Sequence, residues 1–427
     1  MRHVAITQVE AQDRRFQLHE GAGSDAVHTA AEYAFAVTRL RTDTALEGCG
    51  ITLTLGRGNR LVCDAIELLG RSLAGREIEE MMAEFGAISR RLADEPALRW
   101  LGPHKGVVHL ALASLVNACF DLWAKARGVP LWRLLLDLQP LQVLALLDLS
   151  YVEDALNGDD VLALLRDHLP TRTLREGVLL SGYPGYDTSV GWFQYDDSRV
   201  RANAQQALAA GFRAFKLKVG SRDPERDLRR AAMLREIAGP DCRLMFDANQ
   251  QWSLPEARHM CQALAAVDPY WIEEPTHPDD VEAHRALARE IAPLRIALGE
   301  HVPNRVLFKN FIQAGAVHFV QADCTRLAGI SEFLTVSLLA RKFGLPVVPH
   351  VGDMGQIHQH LVLFNRIALG HEVVFLEHIP HLREYFTHPA CVDGGVYGVP
   401  QAPGNSCDFK ADSTVSGSAG FQPGSQR

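Results

Sequence analysis

RLMFDANQQWSLPEARHMCQALAAVDPYWIEEPTHPDDVEAHRALAREIAPLRIALGE, residues 243–300, repeats one pattern three times. A short apolar run ends in a carboxylate: MFD at Asp247, WIE at Glu273, ALGE at Glu300. A polar stretch and an amphipathic helical pattern follow each of the first two. Alternating strand and helix implies a parallel sheet, because a crossover helix is what returns a chain to start a parallel neighbour. Outward from this stretch, strands are expected near 144–150, 214–219, 243–248, 269–273, 295–300, 317–322, 346–350 and 373–377. Eight such strands favour a closed barrel over an open sheet.

A polar residue closes each of seven successive runs. Lys218 ends FKLKVG's strand, then come Asp247, Glu273 and Glu300, Asp323 after VQA, His350 after VVP and Glu377 after FL. Their spacings are 29, 26, 27, 23, 27 and 27 residues, the length of one strand–helix unit, so all seven return to the same end of the barrel. In such barrels the C-terminal end of the strands carries the active site.

Asp247, Glu273 and Glu300 come from three adjacent strands. Their mutual repulsion calls for a cation, and hard oxygen donors select Mg²⁺, with Mn²⁺ as substitute. The competing arrangement has each one capping a helix or pairing with a basic residue at the rim. Glu274 follows Glu273 and is expected to point the other way on its strand. Lys216 and Lys218 are two apart and share a strand face. A neighbouring cation disfavours the ammonium form, so one of them is expected to serve as a base. Asp323 can fix and charge the His350 imidazole as a second acid/base. Two proton-transfer groups flanking a cation suit removal of an α-proton from a carboxylate substrate.

The other residues set the frame. A net charge of −8 over 427 residues argues against nucleic acid or an anionic membrane as the main partner. Eight scattered cysteines without a CxxC pair fit free thiols in a reducing compartment. No secretory signal and no long uncharged apolar run is read, which makes a cytoplasmic protein the expectation. Segments 33–41 and 48–55 read as neighbouring strands, and 60–93 and 107–127 as helical. The expected division is an α+β capping domain over 1–140, completed by part of 380–407, and a barrel over 141–380. Residues 408–427 read as a disordered tail.

The chain resembles the enolase superfamily, in its mandelate-racemase-like branch of acid-sugar dehydratases, and L-fuconate dehydratase in particular. The motifs are SDAVHT (24–29), GCGITLTLGRGN (48–59), LRWLGPHKGVVHLA (98–111), GYPGYDTSVGW (182–192), FKLKVG (215–220), DANQQW (247–252), WIEEPTHPDD (271–280), GEHVPNRVLFK (299–309) and PH (349–350). The resemblance implies a modified (β/α)₇β barrel with an N-terminal α+β cap, and one Mg²⁺ on Asp247, Glu273 and Glu300. It implies that Lys218 removes the α-proton and that His350, held by Asp323, assists departure of the β-hydroxyl. Lys216, Asn249, Glu377, His28, Trp100 and Asp353 are the expected substrate contacts. It also implies a homo-oligomer. Three positions depart from the family pattern: VGDMGQIHQH after His350 adds Asp353 and His358, Ala328 replaces a glycine, and Asp187 stands where threonine is usual. Dehydration of a different acid sugar, racemisation or epimerisation at the α-carbon, and a catalytically silent barrel scaffold are the alternative readings.

Overall fold

The computed structural model describes residues 3–29 and 32–411. Three antiparallel strands open it: β1 (Ile6–Gln17), β2 (Glu32–Thr42) and β3 (Glu47–Thr54), in the order β1-β2-β3. β2 and β3 are the two strands expected from sequence. β1 is an addition; along ITQVEAQDRRFQ only Ile6 and Phe16 are buried, so no apolar alternation marks it.

The helix Gly106–Ala126 lies against β2 and β3. It is apolar nearly all round, as a helix enclosed on every side must be. Among the described residues it alone is long and apolar enough to cross a membrane, but it carries Asp121 and Lys125 and so is not an uncharged apolar run. Further, 89% of its most apolar stretch is buried inside the protein. The sheet and helix approach closely at Gly50, where a Cβ would lie 2.0 Å from the Ser114 carbonyl oxygen. The Ser114 hydroxyl then reaches the Thr38 amide at 2.9 Å. The helical stretch expected at 60–93 is broken into Asn59–Gly70, Ile78–Ala83 and Phe85–Ala93.

The second body is a (β/α)₇β barrel. Its strands follow chain order: β4 (Tyr183–Gly191), β5 (Ala214–Lys218), β6 (Arg243–Asp247), β7 (Pro269–Glu273), β8 (Ile296–Leu298) and β9 (Phe319–Val320). Val347 bridges in parallel to Val320, and β10 (Leu376–His378) returns to pair in parallel with β4. One or more helices link each strand to the next, from Asp197–Ala209 to Ile357–Leu369.

The expected first barrel strand at 144–150 is not a strand. Pro140 opens a helix, Pro140–Ala145, at whose start the Gln142 side chain accepts the Gln139 amide at 2.9 Å. Asp148 then turns back to the Ser150 amide at 3.0 Å. The true first strand, β4, reads YPGYDTSVG, and its proline, glycines and aspartate disguise it as a loop.

Period-two alternation sorts the barrel interior into layers. Tyr186, Ala214, Met245, Trp271, Ala297 and Phe319 fill its lower half. The next inward positions on the same strands are Lys216, Asp247 and Glu273, all at most 1% exposed. Beneath the charges therefore lies an apolar plug, and truncating Trp271 to alanine would cost about 3–5 kcal/mol.

Residues 405–409 return to the first body. Phe409 stacks on Phe16 at 5.2 Å, Asp408 pairs with Arg39 at 2.9 Å and Lys125 at 2.6 Å, and the Asn405 amide bonds Asp121 at 2.7 Å. Asp408 and Phe409, read as the start of a disordered tail, are thus packed; residues 412–427 lie outside the described residues.

Candidate active site

Strand register builds the site. Lys218 pairs across the sheet with Asp247, and Asp247 with Glu273, so three charged strand ends stand side by side. Glu300 follows β8 through Gly299, where a Cβ would meet the Gln321 carbonyl carbon at 2.4 Å. Only glycine allows the chain to pass there and turn Glu300 inward.

Asp247, Glu273 and Glu300 each offer an oxygen within 4.8 Å of the others, and all three are buried. Lys218 Nζ lies 2.5 Å from Asp247 Oδ2. Lys216 Nζ lies 2.8 Å from Glu273 Oε1, 2.6 Å from Glu377 Oε1 and 3.5 Å from Asp247 Oδ2. On the other side, His350 Nε2 is 3.0 Å from Glu300 Oε2, and its Nδ1 is 2.8 Å from Asp323 Oδ2. Asp323 Oδ1 also faces His358 Nε2 at 3.3 Å and accepts the Thr325 amide at 2.7 Å.

These contacts set the charges. Burial pushes the Glu273 carboxyl up to about 8, against the pull of Lys216 and with the push of Asp247. Burial also opposes ionisation of Glu300, but His350 and His301 outweigh it and hold its carboxyl well below the usual range. Burial would lower His350; Glu300 and Asp323 raise it instead to about 10. For Lys218, burial and the Lys216 cation lower it, yet Asp247 outweighs them and holds the ammonium above its ordinary range.

The donor set suits a divalent cation. All three ligand candidates are carboxylates, and the buried Asn249 Oδ1 next to Asp247 has no hydrogen-bond partner. Two other groups of metal-ligand type occur among the described residues. Glu274, Glu300 and His301 are tied by an ion pair, His301 Nδ1 to Glu274 Oε1 at 2.9 Å. Asp323, Cys324 and His358 are linked by the Cys324 amide on His358 Nε2 at 3.0 Å.

A cavity of about 50 Å³ opens above, walled by Lys218, Glu300, His350, Glu377, His28 and Trp192 among others. It shares His28, Glu300, His301, Leu53 and Arg326 with an adjoining recess of about 330 Å³. Lys216, Asn249, Asp247, Glu273 and Asp323 lie buried behind this wall. Trp100 is not brought to it. The short helix Pro96–Leu101 buries Leu98 and leaves Trp100 97% exposed. Asp353 is not at the cavity either: Val351, at φ +63°, reverses the chain after His350, and Asp353 reaches the Ile379 amide at 2.7 Å.

Glu274 also corrects its expectation. Its φ is +43°, so strand alternation stops at Glu273 and the Glu274 side chain turns to His301. Asp25 is a further site residue not expected from sequence. It holds His28 Nδ1 at 3.0 Å within SDAVHT, and the i, i+3 spacing is the signal that was available.

A family described as enolase C-terminal domain-like matches residues 199–413. Human mitochondrial enolase superfamily member 1 is 39% identical over 418 residues, which cover 96% of this chain and 94% of its own. The chain belongs to the enolase superfamily. The crystal structure of that human superfamily member has a TM-score of 0.94, covering 96% of this chain and 95% of its own. L-galactonate dehydratase of Hypocrea jecorina is 40% identical over 422 residues, covering 97% and 94%. Fold likeness extends to an L-talarate dehydratase from Polaromonas sp. complexed with Mg and L-glucarate. It has a TM-score of 0.74 and 24% identity, covering 96% of each chain.

Proposed function

We propose that the chain is a Mg²⁺-dependent dehydratase of acid sugars that converts an aldonate to its 2-keto-3-deoxy acid. One observation carries the reading. Lys218 and His350 stand at the two ends of the Asp247–Glu273–Glu300 row, 2.5 Å from the first carboxylate and 3.0 Å from the last, and both face one cavity.

When bound to the three carboxylates, Mg²⁺ offsets their charge and polarises the substrate carboxylate, making the α-proton acidic. Lys218, whose ammonium is favoured by the Asp247 charge that a bound cation would take up, is the base that, once neutral, takes that proton from C2. Lys216, fixed between Glu273 and Glu377 behind the cavity wall, adds positive charge beside the carboxylate row as charge moves onto the substrate carboxylate. His350 gives its Nε2 proton to the C3 hydroxyl, which leaves as water, and Asp323 supports the imidazole through Nδ1. The C2 enol then takes a proton at C3 to become the keto acid. Glu377 holds Lys216 and lines the cavity beside His350. His28 reaches this cavity from the capping part (1–140 with 380–407), and the acid and base from the barrel part (141–380).

Six-carbon aldonates of the L-galacto series are the favoured substrates. L-fuconate is L-galactonate lacking the hydroxyl at C6, so the family resemblance and the Hypocrea relative point to the same C2–C5 configuration. Leu53, Leu55 and Val302 line the outer recess and favour a methyl at C6, hence L-fuconate. Eight unpaired cysteines fit a reducing, cytoplasmic setting. The test is a library of acid sugars with Mg²⁺, read by keto-acid formation. α-Proton exchange without keto acid would mark a racemase, and neither would leave a scaffold.

A further inference from the structure

The two carboxylates that depart from the family pattern, Asp187 and Asp353, converge on one residue outside the catalytic cavity. His378 is the cross-strand partner of Asp187 where β10 pairs with β4. His378 Nδ1 lies 3.2 Å from Asp353 Oδ2, a charge contact rather than an aligned hydrogen bond. Burial lowers the imidazole, but Asp353 and then Asp187 outweigh it and keep the ring above its ordinary range. Both carboxylates are nearly fully buried, at 2% and 6% exposure.

This cluster sits behind the loop that carries His350. Three consecutive residues after His350 are tied to three consecutive residues at and beyond the end of β10. The Val351 amide donates to Glu377 Oε2 at 3.0 Å, and the Gly352 amide to the Glu377 carbonyl at 2.8 Å. Asp353 Oδ1 accepts the Ile379 amide at 2.7 Å while its other oxygen faces His378. Val351 has φ +63°, a strained conformation for a β-branched residue, so surrounding contacts must hold it. Gly352 allows the close approach, since a Cβ there would lie 2.5 Å from the Glu377 carbonyl oxygen.

We propose that Asp353 and His378, braced by Asp187, are positioning residues that clamp the His350 loop to β10 and so aim the acid at the leaving hydroxyl. The inference rests on the dehydratase reading above. The clamp acts on one half-reaction. Lys218 is on β5, which is not held by it, so C2–H removal is independent of Asp353, whereas loss of the C3 hydroxyl is not.

Asp353→Ala removes both contacts; Asp353→Asn keeps an acceptor for the Ile379 amide and loses only the charge facing His378. Dehydration by Asp353→Ala is expected to fall about 10²-fold in kcat, the scale of a ~1 Å misplacement. KM and the rate of C2–H exchange in D₂O are expected to stay within about 2-fold, because ground-state binding is untouched. Asp353→Asn and His378→Gln are expected to fall about 10-fold, on the same ground. Exchange and dehydration falling in proportion, or wild-type kcat in Asp353→Ala, would overturn the clamp. If the wild-type protein turns over no acid sugar, the dehydratase reading fails. Amide hydrogen exchange then judges the clamp alone: Asp353→Ala must speed exchange at Val351 and Gly352, and unchanged protection there rejects it. The same amide measurement on Asp353→Asn decides the matter if Asp353→Ala does not fold.

Discussion

Asp323 Oδ2 lies 2.8 Å from His350 Nδ1, and that contact turns Nε2 toward Glu300 and the cavity. Asp323 is itself held by Thr325 and faced by His358, so the ring inherits a fixed orientation. Asp323→Asn keeps the size of the side chain but loses the charge that favours the imidazolium. Its kcat is expected to fall by about 10²-fold or more, within the usual contribution of a positioned acid, with little change in KM. Steady-state kinetics on the active sugar checks this; a variant keeping most of the wild-type kcat would remove Asp323 from the account.

The two ends of the carboxylate row should fail differently. Lys218→Met loses the group proposed to remove the C2 proton, so both C2 exchange and keto-acid formation are expected to disappear. His350→Asn keeps Lys218, so C2–H exchange into D₂O persists while keto acid does not form. Proton NMR of recovered substrate separates the two. Exchange lost equally in both variants would argue that Lys218 and His350 do not divide the work.

Loading the carboxylates with Mg²⁺ should stabilise the fold. A ligand at 100 times its Kd adds about 2.7 kcal/mol to the folded state, which raises the thermal midpoint. Glu300→Gln takes away one of the three charged donors and should abolish most of that rise. Chelation of the wild-type protein should reverse it and stop turnover. An equal rise in wild type and Glu300→Gln would place the ion elsewhere.

Acid stability has a separate source. Burial lowers the His360 imidazole to about 3 and the His371 imidazole to about 4. Above their ordinary pKa of about 6.5, both rings are neutral folded or unfolded and stability is independent of pH. Below it the unfolded chain takes up protons that the folded one refuses, so stability falls until the folded pKa is reached. For His371 the loss between pH 6.5 and 4.5 is about 2 kcal/mol. The drop in urea midpoint over that range should be shallower in His371→Gln than in wild type. Parallel curves would mean that His371 is not neutral in the folded state.

The barrel and its charged rim were legible because β5, β6 and β7 place their functional residue at the last strand position. Apolar run and polar terminus are therefore adjacent in sequence. Lys216, Lys218, Asp247 and Glu273 follow from strand alternation alone. β4 was hidden because its YPGYDTSVG composition suits a loop, and the helix at Pro140 was misread because its apolar residues have no period long enough to tell helix from strand. Glu274 and Asp353 failed for a local reason. Glu274 has a positive φ itself, and Asp353 lies two residues beyond Val351, which has one; past such a residue alternation stops predicting side-chain direction. Trp100 failed because a motif match says nothing about which side of a single turn faces solvent.

The central claim is that Lys218 and His350 work in sequence across one cation site to expel water from an acid sugar. The most direct measurement is NMR of the wild-type protein incubated with Mg²⁺ and L-fuconate or L-galactonate in D₂O. The account predicts loss of the C2–H signal with growth of a 2-keto-3-deoxy acid carrying one solvent deuterium at C3. Deuterium appearing at C2 with no keto acid formed from either sugar or from any other acid sugar tried would contradict it.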